Sequence, residues 1–271
     1  MLSILHTKTK KFSQNYNIPR YSIILLEEAN ELSIDFVNYK TNRNSIIFLS
    51  PFQNLNWIRK SSEQVKLIEF HGDFYCIEYH KKEVACNGLL FNNIYSQPYI
   101  SLDKSKFQEI EGFVSKMELE NQNKTTFSDS VLKSYLQLVL AICSREKVLQ
   151  IDNGFIDKPF EKQILEFQPL LEEHFIQQRS PSFYADLLNF SPTSFSKKVK
   201  QQFGKTPTQL IQERVVLEAK KLLHLTEKSV KEIAAVLNFE DEYYFSRYFK
   251  KEVGLPPTQF REEVGISIVA K

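Results

Sequence analysis

His71, Glu78 and His80 are the residues whose types come nearest to a metal site, two imidazoles and a carboxylate close in the chain. Their spacing argues against it. Gly72-Asp73 follows His71 and lysines follow His80, so each imidazole stands isolated, as surface or hydrogen-bonded histidines usually do. No Gly-rich phosphate loop, Gly-x-Ser-x-Gly elbow or His-Glu-x-x-His pair occurs, so no catalytic residue, metal or cofactor is expected. The cations suggest another chemistry. Lys197, Lys198, Lys200 and Lys205 run without an intervening acid, and Arg247, Lys250 and Lys251 stand at corresponding places further on. Side chains of this kind bind polyanions rather than make or break bonds.

The correspondence comes from an internal repeat. Ala185-Asp186-Leu187-Leu188-Asn189-Phe190 is repeated as Ala234-Ala235-Val236-Leu237-Asn238-Phe239, and Phe195-Ser196-Lys197-Lys198-Val199-Lys200 as Phe245-Ser246-Arg247-Tyr248-Phe249-Lys250. Gly204, Pro207, Thr208 and Gln209 match Gly254, Pro257, Thr258 and Gln259. Eleven of the twenty-five positions from Ala185 to Gln209 are identical, where average composition yields about two. Each copy reads as a helix-turn-helix, over about 182–203 and 230–253. Asn189 and Asn238 tolerate the left-handed backbone that ends a first helix, Ser191-Pro192 and Asp241 cap the second, and Ser229 with Glu232 makes a capping box. Between the copies, Thr206-Pro207 starts a helix through Leu223, a rod of roughly 25 Å. Successive major-groove segments on one face of DNA lie about 34 Å apart, so a rod this short predicts tilted readers or bent DNA.

Residues 160–264, about 40% of the chain, resemble the DNA-binding region of the AraC/XylS family of bacterial transcription regulators. The resemblance is carried by Ile233-Ala234 through Asn238-Phe239, by Tyr244-Phe245-Ser246-Arg247-Tyr248-Phe249-Lys250-Lys251, and by Gly254, Pro257, Thr258 and Phe260-Arg261. Asn238 departs from the usual Gly but adopts the same backbone. The second helix of each copy is expected in the major groove. Phe195, Val199 and Phe203 share an inward face, which leaves Thr193, Ser194, Ser196 and Lys197 as candidate base contacts. The resemblance matches these with Glu242, Tyr243, Ser246 and Arg247 in the second copy, where Arg247 would grip guanine. Lys198, Lys200, Lys250 and Lys251 are the candidate phosphate contacts. Glu240, Asp241 and Glu242 repel phosphate unless they cap a helix or accept from cytosine. Arg214, midway along the connecting helix, is read as a structural tie through a carboxylate such as Glu218.

Upstream the period is that of strands: Tyr21 to Glu27, Leu32 to Tyr39, Ile46 to Leu49, Val65 to His71, Phe74 to His80 and Tyr99 to Leu102. A small antiparallel barrel or jelly roll is expected. The family commonly has a cupin-like barrel with dimerising helices there. Helical spacing follows within 107–149, with Phe107, Ile110, Val114 and Met117 on one face and Val131, Leu132, Tyr135, Leu138, Val139 and Ile142 on the next. Asn153-Gly154 and Lys158-Pro159 interrupt it, which divides the chain into 1–155, a sensing or dimerising domain, and 156–271, the DNA-binding domain. The fold class is thus α+β, two domains, the second all helical. Fifteen aromatics in residues 1–105 leave room for an effector pocket, for which Trp57, Tyr75 and Tyr79 are the candidates.

Composition fits this organisation. Lys and Arg number 35 against 33 Asp and Glu over 271 residues, yet residues 179–271 carry 15 basic and 11 acidic side chains. Cys76, Cys86 and Cys143 form neither an even set nor a Cys-x-x-Cys pair, so buried thiols in a reducing compartment are expected. No apolar run nears the roughly 18 residues of a membrane span, and residues 1–11 lack a secretory pattern. A cytoplasmic regulator follows, with double-stranded promoter DNA as partner, no membrane, and a small-molecule effector, a second copy of the chain and RNA polymerase as further partners of an activator. The alternatives are a sequence-tolerant architectural DNA-binding protein and a cupin-type enzyme fused to a DNA-binding tail.

Overall fold

The computed structural model describes residues 2–12, 16–35, 37–58, 63–75, 89–91, 94–156 and 162–266. Tyr79, with Glu78, His80, Cys76 and Cys86, lies outside them, as does the expected strand beyond Tyr75. The chain divides into an N-terminal unit, Met1–Asn93 with Gln97–Asp152, and a C-terminal unit, Ile94–Ser96 with Asn153–Lys271.

The strands of the N-terminal unit are Leu2–Lys8 (β1), Tyr21–Leu26 (β2), Glu31–Ile34 (β3), Val37–Lys40 (β4), Ser45–Leu49 (β5), Leu55–Trp57 (β6), Gln64–Phe70 (β7) and Tyr99–Ser101 (β8). They form two antiparallel sheets, one ordered β1-β7-β2-β5-β8 and the other β4-β3-β6. β2 is buried along its whole length because both of its faces are covered. Tyr21, Ile23 and Leu25 point to one core with Phe48, Ile68 and Phe70; Ile24 and Leu26 point to another with Leu32, Ile34, Leu55 and Trp57. The expected strand from Leu32 to Tyr39 is instead a hairpin, since Asp35 turns at φ 46°.

Lys104–Gln122 (α1) and Ser128–Ile156 (α2) cover the first core. α1 is capped by Asp103, whose side chain accepts from the Lys106 N–H, and it buries Phe107, Ile110, Val114 and Met117 as their spacing predicts. α2 differs from expectation in two ways. It continues past Asn153-Gly154, and its buried face runs through Leu132, Leu136, Val139, Leu140 and Cys143 while Leu138 is 41% exposed. Burial pushes the Cys143 thiol pKa up, so that cysteine acts as an apolar group.

The C-terminal unit holds Lys162–Leu165 (α3), Phe167–His174 (α4), Pro181–Leu187 (α5), Pro192–Phe203 (α6), Pro207–Leu225 (α7), Val230–Val236 (α8), Glu242–Val253 (α9) and Pro257–Val264 (α10). Fully buried rings anchor it. Phe167 meets Tyr184 and Phe195 edge-on at 5.3 and 5.1 Å, and Phe249 meets Phe260 at 5.5 Å. Burying each such side chain contributes about 1.5–3 kcal/mol. No helix of the described residues is long and apolar enough to cross a membrane.

Candidate nucleic-acid interface

Two helix pairs, α5 with α6 and α8 with α9, repeat one construction. Each first helix ends in a paired-bond turn: Phe190 N–H donates to Ala185 O and Asn189 N–H to Asp186 O, as Phe239 and Asn238 do to Ala234 and Ala235. Each second helix starts at a side-chain cap. Ser191 accepts from the Ser194 N–H and Asp241 from the Tyr244 N–H, and Gly204 and Gly254 end the helices at φ 73° and 93°. The capping role accounts for Asp241 among the three acids. α8 begins with a capping box of Ser229 and Glu232, whose hydrogen bonds hold the Glu232 carboxyl below its ordinary pKa.

The caps also fix which residues are equivalent. With Ser191 and Asp241 aligned, Thr193 and Ser194 correspond to Tyr243 and Tyr244, and Glu240 is an extra residue in the second turn. The resemblance pairs them instead with Glu242 and Tyr243, whereas the caps bring in Tyr244, 50% exposed beside Tyr243 at 72%. The unequal turn length was the available signal.

The inward faces are apolar: Phe195 and Val199 on α6, and Phe245, Phe249 and Val253 on α9, are buried. The opposite face of α6 exposes Thr193, Ser196, Lys197 and Lys200, with Ser194 and Lys198 half-buried; the Lys198 ammonium lies 5.3 Å from the Phe190 ring centroid. On α9, Tyr243, Arg247, Lys250 and Lys251 are exposed, with Ser246 and Glu242 half-buried. Each helix therefore offers hydroxyls or phenols early, a forked or long cation one turn on, and lysines beyond, which suits a groove with phosphates along its edges.

α7 joins the two constructions. Thr206 and Gln209 box its start, and its 19 residues rise about 28 Å. Arg214 Nε donates to Glu172 Oε2 at 2.8 Å and Nη1 to Glu218 Oε2 at 3.1 Å, while its guanidinium carbon stacks 3.9 Å from the Phe175 ring centroid. The arginine is thereby spent on binding α7 to α4. Arg261 of α10 holds the other end of α7, donating to the carbonyls of Leu223 at 3.0 Å and Lys228 at 2.6 Å.

Of the candidate effector residues, Trp57 and Tyr75 are not brought together. Trp57 belongs to the core between the sheets, donating to Asn30 Oδ1 at 3.0 Å and stacking on Phe12, whereas Tyr75 lies in the core under the helices, edge-on to Phe70. The large sheet separates them. Among the described residues, no group of three or more His, Cys, Asp or Glu is placed to hold a metal.

The helix-turn-helix domain family matches residues 184–263, from α5 to α10. Two curated relatives are transcriptional activators named RhaS: that of Enterobacter sp. (strain 638) is 24% identical over 162 residues, covering 59% of this chain and 56% of the relative, and that of Escherichia coli O9:H4 is 26% identical over 164 residues with the same coverage. The chain spans about half the length of the curated relatives it matches. The crystal structure of ToxT from Vibrio cholerae aligns at TM-score 0.42 and 15% identity, covering 97% of this chain and 94% of that one. The C-terminal unit is thus a tandem helix-turn-helix domain of the DNA-binding class.

Proposed function

We propose that this chain is a sequence-specific transcription regulator whose α6 and α9 read two adjacent major-groove segments. The observation that carries the reading is the duplication itself, two capped amphipathic helices with cationic outer faces at the two ends of one rod. Thr193, Ser194, Ser196 and Lys197 of α6, and Glu242, Tyr243, Ser246 and Arg247 of α9, contact bases, with Tyr244 added by its place in the helix. Lys198, Lys200, Lys250 and Lys251 contact phosphates. The rod is shorter than the roughly 34 Å between groove segments, so the DNA bends or the readers tilt.

The N-terminal unit, set off from the helix-turn-helix region at about residue 155, senses a signal or dimerises, and its state shifts the DNA-binding equilibrium. Because the RhaS relatives are named activators, recruitment of RNA polymerase belongs to the same proposal. The protein is read as non-catalytic. Selection of bound duplexes from a random library at one stated salt concentration tests the core of it. A motif with two half-sites about ten base pairs apart is expected; broad, unenriched binding would instead favour an architectural protein held by phosphates alone.

A further inference from the structure

The two helix-turn-helix motifs are joined by more than α7. Among the described residues α7 packs against α5, α6, α8, α9 and α10, whereas no packing of similar extent joins α5 or α6 to α8, α9 or α10. A rod alone leaves its ends some freedom to twist. One side chain spans the gap. Arg179, just before the Ser180 cap of α5, donates from Nη2 to the carbonyls of Leu237 and Asn238, the residues that end α8 and turn the chain toward α9. Its guanidinium carbon lies 3.9 Å from the centroid of Phe239, and Phe239 in turn touches Tyr244, Phe245 and Tyr248 of α9 at 5.1–5.8 Å.

The near end is as well held as the far one. Tyr184, fully buried among Phe167 and Phe183, donates to the carbonyl of Gln178 at 2.7 Å, so the backbone beside Arg179 is fixed to the first motif. Among the described residues, the first motif shows no counterpart of this tie. Phe190, which corresponds to Phe239, meets Lys198 of its own second helix. A planar fork that both caps a helix end and stacks on a ring resists rotation in a way that one lysine head does not.

We infer that Arg179 is a positioning residue that sets the angle between the two reading helices, and with it the half-site spacing the protein selects. This rests on the DNA-reading function proposed above. The test uses the full chain as wild type, Arg179→Met and Arg179→Lys, bound to the duplex recovered by selection and to the same duplex with one base pair inserted or removed between its half-sites. Wild type is expected to lose about tenfold in affinity on the altered spacings. For Arg179→Met, binding to the selected spacing falls about tenfold and the spacing penalty shrinks to about threefold or less, with the circular dichroism unchanged. Arg179→Lys falls between, and it decides the matter should the methionine variant unfold. A variant that folds and keeps the wild-type penalty overturns the assignment while leaving DNA reading intact; a wild type without any bipartite preference overturns both.

Discussion

Asn189 and Asn238 hold the same left-handed backbone, φ 52° and 56°, at the same step of two helix-turn-helix motifs 49 residues apart. Each lies one residue past its helix cap, where its own N–H and that of the following Phe turn back to satisfy the helix's last carbonyls. Left-handed backbone costs most L-residues about 1–2 kcal/mol, and Asn less. Asn189→Ala and Asn238→Ala should each destabilise the protein by about 1 kcal/mol, while Asn→Gly at either site is neutral or slightly stabilising. Urea unfolding of the four variants checks this. Equal effects of Ala and Gly would mean that the turn does not require this conformation.

The outward cations separate into two kinds of prediction. Lys200→Ala and Lys250→Ala should weaken binding to all sequences alike and lower the salt slope by about one each. Arg247→Ala should instead relax selection at one base pair, costing about 1–3 kcal/mol there. Titrations of the selected duplex and a scrambled one at several salt concentrations distinguish them. A uniform loss for Arg247→Ala would make it a phosphate contact.

What was legible in the chain follows from how local its causes are. The caps at Ser191, Thr206, Ser229 and Asp241 and the turns at Asn189 and Asn238 rest on neighbours a few residues away, and the duplication showed them twice. β1 was not legible, because its apolar Leu2, Ile4 and Leu5 do not alternate cleanly with the polar residues and its order comes from pairing, as an edge strand, with β7, about sixty residues on. β6 is only three residues long. In α2 the apolar positions outnumber those one face needs, so spacing alone did not say that Leu136 and Leu140 pack inward and Leu138 outward. Counting aromatics likewise said nothing of which side of the sheet Trp57 and Tyr75 occupy. The tie from Arg179 to the end of α8 is tertiary and leaves no mark in either repeat.

Lys147 of α2 is 5% exposed, donating to the carbonyls of Gln97 at 2.5 Å and Tyr99 at 2.9 Å. Burial brings its ammonium pKa down to about 8. Since the unfolded chain keeps this proton up to about pH 10.4, the native state releases it first and binds fewer protons between the two values. Stability contributed at this site therefore rises with pH through that window. Between pH 7.5 and 9.5 the wild type should gain about 2 kcal/mol relative to Lys147→Met, read from urea unfolding at both pH values. A difference that stays constant would mean that the two carbonyls hold the charged form as well as water does.

Arg214 separates the structural reading of the rod from an electrostatic one. On charge alone a guanidinium on the connecting helix suits a phosphate, yet this one is 14% exposed and divided between Glu172, Glu218 and the face of Phe175. Tyr95 adds a further bond to the same Glu172, its hydroxyl donating at 2.8 Å. Replacing Arg214 by Met strips Glu218 of its forked partner and leaves, among the described residues, Lys221 at 3.8 Å to answer it. Removing one member of a shielded pair uncovers the other's desolvation, so a loss of about 2–3 kcal/mol is expected. Glu218→Gln in the same chain should recover part of it, because the stranded charge is then gone. The salt slope of DNA binding should stay at its wild-type value in the folded variant. A slope lower by about one, with little change in stability, would assign Arg214 to the phosphate backbone instead.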